Sequence, residues 1–279
     1  MQRYAKAQQD LDNLNKSIDD KLKKSILQEA IQGRLVPQIT EEGTAQELLE
    51  QIKQEKLHLL KEGKLKKSAL VDSVIYKGDD NKYYEQVGKS DKEITEEIAF
   101  DLPNGWSWCR LKDICSIFTG ATFKKEETVT TKEGVRILRG GNISPFELRI
   151  KDDDIFLTKD KVKEDIILKE NDILTPAVTS LENIGKMVRV NSDMPNTTVG
   201  GFVFIIRLYL KNQWLSKYIL YLLSSPFMID FMKSITNKSG QAFYNIGKER
   251  LSTALLPIPS LAEQHRIVAQ IEKLFEQLR

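Results

Sequence analysis

The sequence predicts an α+β chain in which a compact mixed α/β domain is flanked by long N- and C-terminal coiled-coil helices. Three observations carry that prediction. Apolar residues recur at steps of three and four near both ends, the middle breaks into short β-rich runs separated by turn residues, and a charged stretch without any period lies between the two patterns. The 279 residues are 41% hydrophobic, enough to bury a sizeable core in one large domain or two smaller units.

The first helix is written in Tyr4, Ala7, Leu11, Leu14 and Ile18, followed by two steps of four to Leu22 and Ile26. This is a coiled-coil seam with a local stutter. In "AIQGRLVP", Gly33 supplies a left-handed cap and Pro37 prevents continuation. Some thirty residues give a rod of roughly 45 Å. A second helix, "TAQELLEQIKQEKLHLLKEG", opens with Thr44 and Glu47 at capping-box spacing and stops at Gly63. Residues 1–63 therefore form a two-helix region. From 64 to 99 periodicity disappears in sequences such as "YKGDDNKYYEQVGKSDK", which predicts a solvated linker.

A compact domain is expected over 100–259. The runs "VRILRG", "DIFLT", "DILTPAV", "GKMVRV" and "GGFVFIIRL" read as strands. Two helices follow in "NQWLSKYILYLLSSPFMIDFMKSI", with Trp214, Ile219, Leu222 and Leu223 on the buried face and Pro226 opening the second. One more strand, "STALLPIP", leads to a terminal coiled-coil helix over 260–279. Ser260 and Glu263 have capping-box spacing, and Ile267, Ile271, Leu274 and Leu278 form its seam. Joined end to end, the last and first helices keep nearly one phase. The chain reads as one repeat cut inside its rod, with the missing helix supplied by a preceding repeat or a second copy.

Composition excludes several classes of function. Two cysteines, Cys109 and Cys115, and two distant histidines, His58 and His265, are too few for a zinc site; the cysteines read as reduced thiols of a cytoplasmic protein. No long apolar run suggests a membrane span. Phosphate-cradling loops, dinucleotide fingerprints, zinc-protease motifs and nucleophile elbows are all missing. "RGGN" and "TVGGF" read as turns rather than cofactor loops, and "KDDDIF" reads as a strand entrance, because successive side chains point to opposite faces.

The net charge of +2 conceals an uneven distribution: residues 183–250 hold nine Lys/Arg against three acids. Loops "TGATFKKEE", "RGGNIS", "TPAVTSLENIGK" and "TNKSGQAFYNIGKER" carry the hydroxyls, amides and cations that bind phosphates and base edges. Several such loops on one domain beside a rod point to nucleic-acid recognition.

In order along the chain, "LPNGWSWCRLKDICSIFTGATFKKEE", "LRGGNI", "NDILTPAVTSLENIGK", "NKSGQAFYNIGKERL" and "LLPIPSLAEQHRIVAQIEKL" resemble the target-recognition domain and following helix of type I restriction-modification specificity subunits. "DKLKKSILQEAIQGRLVPQITEEGTAQELLEQIKQEK" resembles that family's central spacer. The usual Pro-Pro-Leu reads "PSL" here, and one recognition domain stands where the family usually has two. The resemblance implies a noncatalytic reader of one half of a split double-stranded DNA target; the continuing phase of the two terminal helices adds a homodimer as one option, and the reduced cysteines a cytoplasmic location. The resemblance also implies a scaffold for adenine methyltransferase subunits that bring S-adenosylmethionine, and for an ATP-driven restriction subunit; no cofactor or metal is expected in this chain itself. Position within the matching motifs nominates Thr119, Gly120, Thr122, Lys124, Lys125, Arg139, Asn142, Thr179, Ser180, Lys186, Lys238, Ser239, Gln241 and Asn245 for DNA contact. Leu11, Leu14, Ile18, Leu22, Ile267, Ile271, Leu274 and Leu278 are the expected coiled-coil contacts. Two other readings stay open: a recognition module of a fused restriction and methylation system, and a coiled-coil assembly protein with a protein-binding domain.

Overall fold

The computed structural model describes residues 2–129, 133–239 and 242–278, less the side chains of 2–5, 7–8, 10–13 and 16. Leu11 and Gln241 of the expected contacts therefore lie outside the described residues. Helix α1 (Gln2–Ile31) closes with Gly33 at φ +69. Gly33 N–H donates to Ala30 O and Arg34 N–H to Glu29 O, a Schellman closure that satisfies the last carbonyls. Helix α2 (Ala45–Lys61) opens on the complete Thr44–Glu47 capping box. Its buried face is Ala45, Leu48, Ile52 and, unexpectedly, Lys56. The Lys56 ammonium pairs with Asp72 and lies 5.1 Å from the Tyr209 ring centre, so the buried charge is partnered.

The stretch expected to be a solvated linker is folded. Strands β1 (Ser73–Lys77), β2 (Tyr83–Val87) and β3 (Ser90–Glu93) form an antiparallel sheet, with Asn81 and Gly88 in the left-handed conformation between them. Its anchor is polar. Arg110 donates through Nε and Nη2 to the Glu85 carboxylate at 3.1 and 2.6 Å and pairs with Glu97 at 2.8 Å. Around this fork, Ile75, Tyr83 and Ile94 pack with Trp108 and Leu255.

The next unit comprises β4 (Ser107–Arg110), α3 (Leu111–Ile114), β5 (Cys115–Thr119), β6 (Thr128–Val129), β7 (Val135–Leu138), β8 (Ile143–Ser144), β9 (Glu147–Leu148), β10 (Ile155–Leu157), β11 (Ile173–Pro176), β12 (Val178–Thr179), β13 (Val188–Arg189), β14 (Thr197–Val199) and β15 (Val203–Leu208). It continues through α4 (Gln213–Leu223), α5 (Pro226–Ser234), β16 (Thr236–Ser239), β17 (Phe243–Ile246), α6 (Lys248–Ser252), β18 (Leu255–Ile258) and α7 (Leu261–Gln277). Each predicted run holds a strand or helix. The two larger sheets have orders β14-β7-β10-β6 and β13-β11-β15-β5, while β12-β17-β16 makes a three-stranded ribbon. One core joins α4, α5, α7 and the ends of α1 and α2; a second fills the space between the sheets. Cys109 and Cys115 are buried free thiols, and burial pushes both thiol pKa values up.

Helix α7 departs from the expected rod in two ways. Ile267 and Ile271 are fully buried in the domain's own core, so its inward face packs within the chain. Ser260 caps Glu263 N–H, but the Glu263 carboxylate accepts from Trp106 Nε1 at 3.0 Å rather than closing a capping box. Helix α7 runs antiparallel to α1: Arg266 binds Glu42 and the Pro37 carbonyl, and Phe275 lies beneath Lys23. Leu274 and Leu278 are half-buried, whereas Leu14, Ile18 and Leu22 are 57%, 46% and 45% exposed. Among the described residues no helix is long and apolar enough to cross a membrane.

Candidate nucleic-acid interface

The ends of several strands are tied into one row by the backbone. Antiparallel pairing sets Thr119 of β5 opposite Phe204 of β15, and Val203 opposite Pro176 of β11. Past these ladders, Gly120 N–H donates to Val203 O, Ala177 N–H to Phe202 O at 2.8 Å, and Ile246 N–H to Ala177 O at 2.8 Å. Strand β17 then sets Asn245 opposite both Val178 and Asn237. Gly200 N–H donates to Leu138 O, which brings the Arg139 loop alongside.

Glycine has a geometric reason at Gly120. A Cβ there would lie 2.2 Å from Val199 O, so only glycine lets β5 leave its sheet against the 199–201 turn. Gly120 is buried and serves that approach rather than a ligand. Asn142 is likewise corrected: at 1% exposure, its Oδ1 accepts from Arg139 N–H and its Nδ2 donates to Arg149 O and Asp154 Oδ1. It holds the loop from within. Thr179 is buried as well. Lys186 is half-buried at the far end of the Ser180 loop, its N–H donating to Asn183 O, with Gly185 against Ile229 of α5 and Met187 O accepting from Phe146 N–H.

The nominated residues Thr119, Thr122, Lys124, Lys125, Arg139, Lys238, Ser239 and Asn245 are exposed, and Ser180 is half-buried. Arg139 donates to Asp153 O and Oδ2 at 3.1 and 3.3 Å, an exposed pairing that a stronger anion can displace. Below it, burial pushes the Asp154 carboxyl up, but hydrogen bonds from Lys151 N–H, Asn142 and Arg136 outweigh this and leave it below the usual carboxylate range. The loop is thus built around a fixed buried anion.

The basic concentration read from the sequence is partly internal. Arg207 makes a two-pronged 2.7 Å pair with buried Asp172 and donates to the carbonyls of Asp165 and Ile167. Lys217 pairs with Glu272, and Arg189 donates to Asn171 and Asn191. Sequence reasoning also missed two exposed aromatics on this edge, Phe202 at 74% and Phe243 at 55%. The signal for Phe202 is its place directly after a glycine pair, at the start of the run "GGFVFIIRL" that reads as a strand. Among the described residues no group of three His, Cys, Asp or Glu stands close enough to hold a metal ion. The row offers hydrogen bonds, cations and two aromatic rings.

A mixed domain that presents hydroxyl-, amide- and cation-bearing loops on one edge, beside a protruding helix, is a recognition module. The chain belongs to the family of the type I restriction modification DNA specificity domain, whose model matches residues 103–279. It is 31% identical over 275 residues to the specificity subunit of the type I restriction enzyme EcoAI of Escherichia coli, covering 92% of this chain and 40% of that protein. The EcoEI specificity subunit, also from Escherichia coli, is 26% identical with the same coverage. The chain thus spans about two fifths of the length of these relatives. A solved HsdS subunit from Thermoanaerobacter tengcongensis superimposes with a TM-score of 0.45 at 23% identity, covering 64% of this chain and 40% of that one.

Proposed function

We propose that this chain is a noncatalytic, sequence-specific reader of double-stranded DNA within a type I restriction-modification assembly, and that it recognises one half of a split target. The observation that supports this most is the row from Thr119 to Asn245, where exposed hydroxyl, amide and cationic side chains stand on backbone-paired strand ends. Base edges require such donors and acceptors in fixed places, and phosphates set the protein's position on the duplex. Helices α1 and α7 serve as docking surface for adenine methyltransferase subunits, which supply S-adenosylmethionine; a restriction subunit supplies ATP hydrolysis. This chain binds neither cofactor and acts in the cytoplasm. The exposed Leu14, Ile18 and Leu22 stripe favours pairing of two copies through their rods, which would read identical half-sites at a fixed spacing.

The purified chain tests the reading directly. Duplex binding should weaken steeply as salt rises, because bound phosphates release counterions. No methyl transfer should occur with S-adenosylmethionine until a methyltransferase subunit is added. Methylation by the chain alone, or duplex binding indifferent to salt, would refute the proposal.

A further inference from the structure

Phe202 is 74% exposed, the greatest exposure of any large hydrophobic side chain among the described residues. Its backbone, in contrast, is firmly held. Its carbonyl accepts from Ala177 N–H, Val203 N–H closes the turn onto Gly200 O at 2.9 Å, and Gly200 N–H is bound to Leu138 O. The turn is also packed: a Cβ at Gly201 would come within 2.9 Å of Thr122 Oγ1. The ring therefore projects from a rigid base, in the middle of the row that carries Thr119 and Thr122 on one side and Asn237, Lys238 and Asn245 on the other.

Those neighbours argue against a protein partner, which would bury an apolar patch. Here two separate rings, Phe202 and Phe243, share an edge with the exposed Thr119, Thr122, Lys238 and Asn245, whose hydroxyls, amide and ammonium match the polar edges that flank the stacked bases of a duplex. Resting on the DNA-reading function above, we propose that Phe202 is a wedge that enters the duplex at one base step, partly unstacks it and fixes the reading register. Phenylalanine is one of the side chains suited to this, and the unstacking cost depends on the step being opened. Phe202 thus contributes specificity at a base pair to which it makes no hydrogen bond. Phe243, 55% exposed on the adjoining β17, flanks the same edge without the clamped turn.

The experiment uses the full chain and duplexes selected by it from a randomised pool, with 2-aminopurine placed at successive adenines. Bound wild-type protein should raise 2-aminopurine emission at one step only. Phe202→Ala should abolish that rise and weaken binding by about tenfold to a hundredfold, in the range known for lost aromatic–base contacts, with the salt slope unchanged because no phosphate contact is removed. Phe202→Leu should keep part of the emission signal. An unaltered melting temperature for the variants assigns the loss to the ring. Equal affinity and equal emission for Phe202→Ala overturn the wedge while leaving the DNA reader intact. If the wild-type chain selects no duplex, the reader itself fails and the wedge with it.

Discussion

Asn142 and Asn245 sit in loops of similar composition, and their surroundings separate their roles. Asn142 is enclosed and binds three partners of its own loop. Asn142→Ala should cost ~1–3 kcal/mol of stability, because it leaves a buried N–H and carbonyl unpaired; chemical denaturation measures this. Asn245 is exposed on β17, opposite Val178 and Asn237, so Asn245→Ala should leave stability within ~0.5 kcal/mol yet change discrimination between base pairs by ~1–3 kcal/mol if it makes a bidentate contact. Lys124→Ala and Lys238→Ala should weaken binding to every sequence and each lower the salt slope by about one unit. Equal losses on all sequences for both asparagine and lysine variants would contradict this division. The sequence could nominate these residues by type, but it could not separate Asn142 from Asn245, because burial in a turn leaves no periodic trace.

At the scale of elements, the sheet of β1, β2 and β3 explains why the sequence concealed it. Its buried positions are Ser73 and Glu85, so alternation of apolar residues, the usual mark of a half-buried strand, is absent. What holds it is the Glu85–Arg110 fork, whose hydrogen bonds outweigh burial and lower the Glu85 pKa. That contribution is complete above the ordinary glutamate range and is lost as pH falls through the depressed folded value. Glu263 acts with the opposite sign. Burial raises its pKa, so its contribution is full below the ordinary glutamate range and is lost as pH rises through the raised folded value. Glu85→Gln should therefore flatten the acid limb of a stability-versus-pH curve, and an unchanged limb would show that the fork is not its source. Helix α1 poses a separate test, since its Leu14, Ile18 and Leu22 stripe is exposed in the single chain. If two copies pair through this stripe, Leu14→Asp with Ile18→Asp should turn a dimer into a monomer in sedimentation and remove the concentration dependence of the melting temperature, while the packing of the single chain, which leaves both side chains exposed, is retained. A dimer that survives both changes places its contacts elsewhere.

For the molecule as a whole, pattern and chemistry are legible to different depths. The helices at both ends, the strands β7, β10, β11, β13 and β15 and the helices from Gln213 to Ser234 follow from hydrophobic period and turn residues, whereas the short β8, β9 and β14 do not, and β14 ends in the "TVGGF" stretch that reads as a turn. The row from Thr119 to Asn245 does not, because it depends on the long-range bonds of Phe202, Ala177 and Ile246, which no local pattern encodes. Charge misled for a related reason: Arg207 counts as a cation in the sequence, but Asp172 neutralises it inside the fold. The central claim is that this row selects the DNA sequence, and mapped adenine methylation tests it most directly. The chain is co-expressed with the methyltransferase subunit proposed above as its partner, first unchanged and then with Thr122, Lys238 and Asn245 replaced together. The account predicts methylation at one defined motif in the first case, and a relaxed or altered half-motif at comparable protein stability in the second. An identical methylated motif in both would contradict it.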